Sequence, residues 1–290
     1  MSRNSRRITI GTVLCAFCLR CWTVGAFLIG DEPPTAPDQE ESAARKEQRE
    51  ANLKAMERRA REMKVRPAEP MPTQEVTMVP KPLFHYTDEP RRILDGTLWG
   101  WLSQGRLLAI CKIENYAQSA QAGQWLYCLG SLSPDLIEAE WEDGHRWSAS
   151  KPGIRLQAIE RWPAAAEGKP ARLRQMKELV GRFEATMSDQ GASQQMRLLP
   201  RPLYRYENAA GELLDGAVFG LTSNGTNPDA ILLLELHQSE GRAAQWMFGV
   251  SGMTASALSI KLGETEVWSK PVTATLGSYK TWTWFWENPR

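Results

Sequence analysis

This chain matches itself. Pro80-Lys81-Pro82-Leu83-Phe84-His85-Tyr86 recurs as Pro200-Arg201-Pro202-Leu203-Tyr204-Arg205-Tyr206, and Leu94-Asp95-Gly96 as Leu214-Asp215-Gly216, both at an offset of 120. One residue is added where Ser103-Gln104-Gly105-Arg106 answers to Ser223-Asn224-Gly225-Thr226, and the offset becomes 121. Beyond that point Ala109-Ile110, Glu114, Gln124-Trp125 and Trp147-Ser148 match Ala230-Ile231, Glu235, Gln245-Trp246 and Trp268-Ser269. A repeat of this length is a structural unit, and an insertion confined to a turn is what a duplicated fold tolerates. With 42% hydrophobic residues over 290 positions, each copy can have its own core.

Each unit begins with a helix. Leu53, Met56, Ala60 and Met63 follow helical spacing and Leu173, Met176, Val180 and Phe183 repeat it, one apolar stripe per helix. Short strands are expected near 83–86, 97–102, 107–115, 124–130, 136–141, 145–149 and 153–160, with counterparts in the second unit. Turns this short favour antiparallel pairing. Alternation places Leu107, Ala109, Cys111 and Ile113 on one core face, with Ala230, Leu232, Leu234 and Leu236 as their counterparts. The opposite face is apolar enough to close on itself or to meet the partner repeat. The expected fold class is α+β, a tandem duplication in which each unit is one N-terminal helix plus a mainly antiparallel β-sheet. An all-β barrel or sandwich with peripheral helices is the alternative.

Residues 1–26 carry Arg3, Arg6, Arg7 and Arg20 and no acid, and the first three arginines precede an apolar run from Ile8 to Leu19, the order of an export signal. Val24-Gly25-Ala26 places cleavage after Ala26. Arg20 would cost about 2.5–3.5 kcal/mol at a bilayer centre, so an uncleaved N-terminal membrane anchor is the second choice. The domain reading is therefore 1–26 export signal, 27–44 polar linker, 45–164 first repeat and 165–290 second repeat. It places the protein in the periplasm or cell envelope, with membrane contact only through the N-terminal segment. Without residues 1–26 the chain holds 31 Lys and Arg against 34 Asp and Glu, which lacks the footprint of a nucleic-acid binder.

The paired Pro-(Lys/Arg)-Pro-Leu-aromatic-x-Tyr and Leu-Asp-Gly segments resemble a family of exported bacterial proteins with an internally duplicated domain and no characterised activity. The similarity spans most of residues 45–290. It implies export and duplication and carries no activity.

No Gly-x-Ser-x-Gly, Walker loop, dinucleotide fingerprint or His-Glu-x-x-His occurs. Ser148-Ala149-Ser150-Lys151 spells Ser-x-x-Lys in a strand-like stretch, where that motif lacks its helix. None of His85, His145 and His237 is duplicated, so no metal or cofactor is expected. Both repeats do share carboxylates, Asp95 with Asp215 and Glu114 with Glu235. Such acids can run glycoside hydrolysis if they flank one bond, which makes a carbohydrate-active hydrolase the alternative function. Asp-Gly is more often a turn or strand entry, and no catalytic residue is assigned. If the first hairpin turns between Ser119 and Ala120, Glu114 faces Trp125, and Glu235 faces Trp246 by the same register. A carboxylate beside an indole suits an envelope glycan or protein partner, although aromatics more often cover cores. The same register sets Cys111 opposite Cys128 as a disulfide candidate. Trp282, Trp284 and Trp286 alternate onto one face, expected to be buried against the other repeat.

Overall fold

The computed structural model describes residues 43–69, 75–117, 125–160, 162–189, 191–207, 212–273 and 277–287. The expected export signal, nearly all of the expected polar linker and the hairpin tip expected at Ser119 and Ala120 lie outside them. In the first half the order is α1 (Ala43–Glu62), β1 (Lys64–Pro67), β2 (Val76–Met78), β3 (Phe84–Asp88), β4 (Ile93–Ser103), β5 (Arg106–Tyr116), β6 (Trp125–Ser131), β7 (Ile137–Glu140), β8 (Arg146–Ser148) and β9 (Gln157–Ala158). The second half runs α2 (Lys169–Val180), β10 (Phe183–Asp189), β11 (Ala192–Gln195), β12 (Arg197–Leu198), β13 (Tyr204–Tyr206), β14 (Leu213–Thr222), β15 (Ala230–His237), β16 (Gln245–Gly252), β17 (Ala257–Leu262) and β18 (Thr265–Lys270). It ends with β19 (Gly277–Ser278) and β20 (Trp282–Trp286). The protein is thus β-rich. Its described strands form four antiparallel sheets, none of them a closed barrel.

The helices form where good helix formers run without interruption. No Gly or Pro interrupts Ala43–Glu62, and Arg61 pairs with Glu57 one turn away at 2.6 Å. Pro170 sits in the first turn of α2, where its missing N–H costs nothing. The buried seam of α1 is Asn52, Met56 and Ala60, so the expected stripe is displaced at its start: a buried asparagine takes the position beside half-buried Leu53. Met63 follows the helix end and Phe183 opens β10.

Two large sheets carry the fold. One is ordered β19-β20-β6-β5-β4-β2 with β3 also on β4, the other β12-β14-β15-β16-β9 with β13 on β14. Two small sheets, β1-β7-β8 and β11-β10-β17-β18, complete them. Helix α1 covers the outer face of the first large sheet, in a core that includes Met56, Ala60, Cys111, Ile113 and Trp125. Helix α2 covers the second in the same way, with Met176, Val180, Leu232, Leu234 and Trp246. A third cluster joins the two inner faces, where Leu98, Ile110 and Cys128 of the first half pack with Val218, Ile231 and Leu233 of the second. Apolar residues on both faces of the central strands therefore serve one layer each.

The ends of the two halves are exchanged. Strand β9, which closes the first half, pairs with β16 of the second, and the last strand, β20, pairs with β6 of the first. The backbone contacts correspond: Ile159 N–H donates to the Trp246 carbonyl at 2.8 Å and Glu287 N–H to the Trp125 carbonyl at 2.9 Å. The sequence reading had 153–160 as a strand of its own unit. Of the C-terminal tryptophans, Trp282 enters the inter-sheet core and Trp284 packs against it, while Trp286 meets Tyr116 edge-on.

Two register expectations need correction. A bulge between Trp101 and Leu102 leaves Leu108 as the extra residue of β5, so Leu108 joins Ala109, Cys111 and Ile113 on the helix side and Leu107 turns inward. Strands β5 and β6 pair Cys111 with Leu129 and Lys112 with Cys128, one residue off the register expected from the turn. A one-residue shift reverses faces, so the two cysteines lie in different cores as free thiols and form no disulfide. Burial pushes both thiols up, Cys128 to about 12.

Candidate functional site

The duplicated motifs converge on one local construction. Tyr86, which closes the Pro-Lys-Pro-Leu segment, lies across Gly96 of Leu-Asp-Gly, where an added Cβ would stand 2.4 Å from its ring. Its hydroxyl donates to Glu114 Oε1 at 2.6 Å. Tyr206 lies across Gly216 in the same way and donates to Glu235 Oε1 at 2.5 Å. Gly96 and Gly216 are therefore central strand residues required by a close ring approach. Of the two readings of Asp-Gly, turn or strand entry, the second applies: both pairs lie near the start of a strand, in extended backbone just after a bulge. Burial first, and then the neighbouring carboxylate, raises both phenols far above their ordinary range, so they remain protonated donors.

The shared acids divide between the two faces of their sheets. Asp95 is held from the helix side by Asn52 Nδ2 at 2.7 Å and by His85 Nε2 at 3.3 Å. Asp215 is held by Arg172 Nε at 2.7 Å and by Arg205 Nη2 at 2.6 Å. In each half an aspartate fastens helix to sheet. Glu114 and Glu235 face the other half and each takes a donor from it: Asn227 Nδ2 reaches Glu114 at 3.1 Å and Arg106 Nε reaches Glu235 at 2.7 Å. Tyr116 and His237 add a further bond to Glu114 and Glu235 respectively. Lys112, also buried, donates to Asn227 Oδ1 and to the carbonyls of Pro228 and Met253.

The expected Glu and Trp pairs are not brought together. Asn115 stands opposite Trp125 and Leu236 opposite Trp246, while Glu114 faces Leu126 and Glu235 faces Met247. The indoles belong to the helix-side cores at 7% and 2% exposure, with no open ring face for a ligand; Arg59 lies 4.2 Å over Trp125. Glu114, Trp125, Glu235 and Trp246 therefore do not make one ligand site. Ser148 lies on β8 with its hydroxyl toward Glu138, away from any helix start. Among the described residues no cluster of His, Cys, Asp and Glu is arranged to hold a metal, and no helix is long and apolar enough to cross a membrane.

Residues to which the sequence reading assigned no site lie at the junction of the halves. Ser103, Arg106 and His237 line a cleft of about 270 Å³ with Leu108, Asp135 and Glu212. Arg106 ends the turn that answers to Ser223-Asn224-Gly225-Thr226, and Asn227 follows that turn in the second half. No family model, curated protein or solved structure matches the chain.

The charged ties carry a pH dependence. Burial alone would raise the Asp215 carboxyl, but the bonds from Arg205 and Arg172 outweigh it and hold its pKa below the usual range. Burial is likewise overcome at Glu235 by His237, Arg106 and Tyr206. Depressed folded-state pKa values give stability that is complete above the unfolded values, about 4, and is lost as pH falls through the folded ones. The contribution of these two acids to the urea midpoint should therefore be level above about pH 5 and fall below about pH 4. Asp215→Asn should flatten that fall. An unchanged acid limb in the variant would show that this aspartate does not contribute.

Proposed function

We propose that the chain is an exported, noncatalytic binding or structural module of the cell envelope, built by tandem duplication of a helix-plus-sheet unit and related to the exported family it resembles. The carrying observation is the engagement of the four duplicated acids. Each is bound by fixed protein donors, and the two of each half lie on opposite sheet faces, where they cannot flank one glycosidic bond. The matching strand order, the matching tyrosine–glycine–glutamate contacts and the reciprocal edge strands support duplication. The order of charge and hydrophobicity in residues 1–26 supports export. Fractionation of cells producing a C-terminally tagged chain, followed by N-terminal analysis, tests the proposal. The expected product is an envelope-associated chain beginning at Phe27, retained by an envelope glycan or protein. An intact cytosolic chain would overturn it.

A further inference from the structure

The two halves differ most where their turns reach across the junction. In the second half, Ser223 donates to Asp229 Oδ2 from its hydroxyl at 2.7 Å and from its backbone N–H at 2.9 Å. Arg91 closes over that carboxylate at 2.9 Å and also reaches the Ser223 hydroxyl at 3.0 Å. The construction is a buried carboxylate clamped by a serine and an arginine. Under the duplication, Ser103 corresponds to Ser223, but Leu108 stands where Asp229 would. The carboxylate is thus missing from the first-half site.

What remains is the cleft of about 270 Å³, just under the usual range for ligand pockets and so limited to a very small ligand. Two buried donors on residues that line it, Ser103 Oγ and Arg106 Nη2, have no partner among the described residues, although Arg106 also bonds Glu235 through Nε and the Leu132 carbonyl through Nη1. They belong to residues directly opposite each other at the end of the β4–β5 hairpin. Buried donors without acceptors are costly and uncommon. Leu108 lines it from the helix-side core and Leu107 and Leu213 from the core between the sheets, while the exposed acids Asp135 and Glu212 stand along the same cleft.

We propose that this cleft binds a free aliphatic α-amino acid, whose carboxylate accepts from Ser103 and Arg106 as Asp229 accepts from Ser223 and Arg91. The ammonium group meets Asp135 and Glu212, and the side chain lies on the leucines. The inference rests on the reading of the chain as a duplicated binding module and names that module's ligand class.

Calorimetric titration of the full chain with leucine, leucinamide and N-acetylleucine tests it. Leucine should bind, and the two analogues, lacking the carboxylate charge or the ammonium, should each bind at least about tenfold more weakly. Ser103→Ala removes a costly unpartnered hydroxyl, so it should not lower the thermal midpoint of the free chain and should weaken leucine about tenfold. Glu212→Gln, at an exposed position, should weaken leucine and leave N-acetylleucine unaltered. Absence of leucine binding, equal binding of leucinamide, or unchanged affinity in Ser103→Ala would each overturn the proposal. Equal binding of N-acetylleucine would overturn the amino-acid assignment. Envelope retention measured in parallel distinguishes these failures from failure of the module reading, since retention that persists without leucine binding removes only the ligand.

Discussion

Trp246→Ala and Trp125→Ala should each cost about 3–5 kcal/mol of stability, the range for removing a large aromatic from a packed core. Trp246 is 2% exposed between α2 and the second sheet, directly opposite Leu236. Trp125 packs under α1, and the Arg59 guanidinium above it bonds Glu287 at 2.9 Å, so this ring also supports the end of the chain. Trp246→Phe is the control. The Trp246 indole N–H has no partner among the described residues, so phenylalanine surrenders no hydrogen bond and, losing only part of the ring volume, should cost clearly less than alanine. Urea unfolding of the three variants gives the values, and acrylamide should quench neither indole in the native state. A loss under about 1 kcal/mol in Trp246→Ala, with a cooperative transition retained, would show that the ring is no part of the core.

Much of the framework was legible because short-range patterns carried it. The strand ranges near 97–102, 107–115 and 124–130 correspond to β4, β5 and β6, since alternation and turn residues act locally. Faces were legible only where nothing interrupted the alternation. Ala230, Leu232, Leu234 and Leu236 share the helix-side core as read, whereas the bulge at Leu108 turned Leu107 to the other side. Register was not legible, because pairing is set by which faces are buried: Asn115 binds Asn52 under α1, and this holds Trp125 opposite Asn115 rather than opposite Glu114. Tyr86, Gly96 and Glu114 were each visible as repeated residues. Their union depends on a ring lying across a strand, which no spacing in sequence expresses. His237 is not repeated in the sequence and Arg106 is part of a turn there, so neither carries a pattern that marks the cleft they line.

Separating the halves should abolish folding of both, although each has its own helix and most of its own sheet. A cut between Glu167 and Gly168 removes β20 from the first sheet and β9 from the second, leaving the edges of β6 and β16 unpaired. It also uncovers the inner faces, where Leu98 and Ile110 lose contact with Val218, Ile231 and Leu233. Open edges and apolar faces of this kind lead to association rather than to stable monomers. The buried groups act in the same direction, since Glu114 loses Asn227, Glu235 loses Arg106, and Lys112 loses all three of its acceptors in the second half. Fragments 1–167 and 168–290 made alone should aggregate or lack a cooperative transition, and made together they should copurify and unfold as one unit. The first half should suffer more from losing its borrowed strand, because β20 contributes five paired residues to β6 where β9 contributes two to β16. Deletion of residues 281–290 from the intact chain should therefore destabilise it more than substitutions that disrupt Gln157 and Ala158. A monomeric, cooperatively unfolding 1–167 fragment would sink the argument, because it would mean that the exchanged strand and the shared inner core are dispensable.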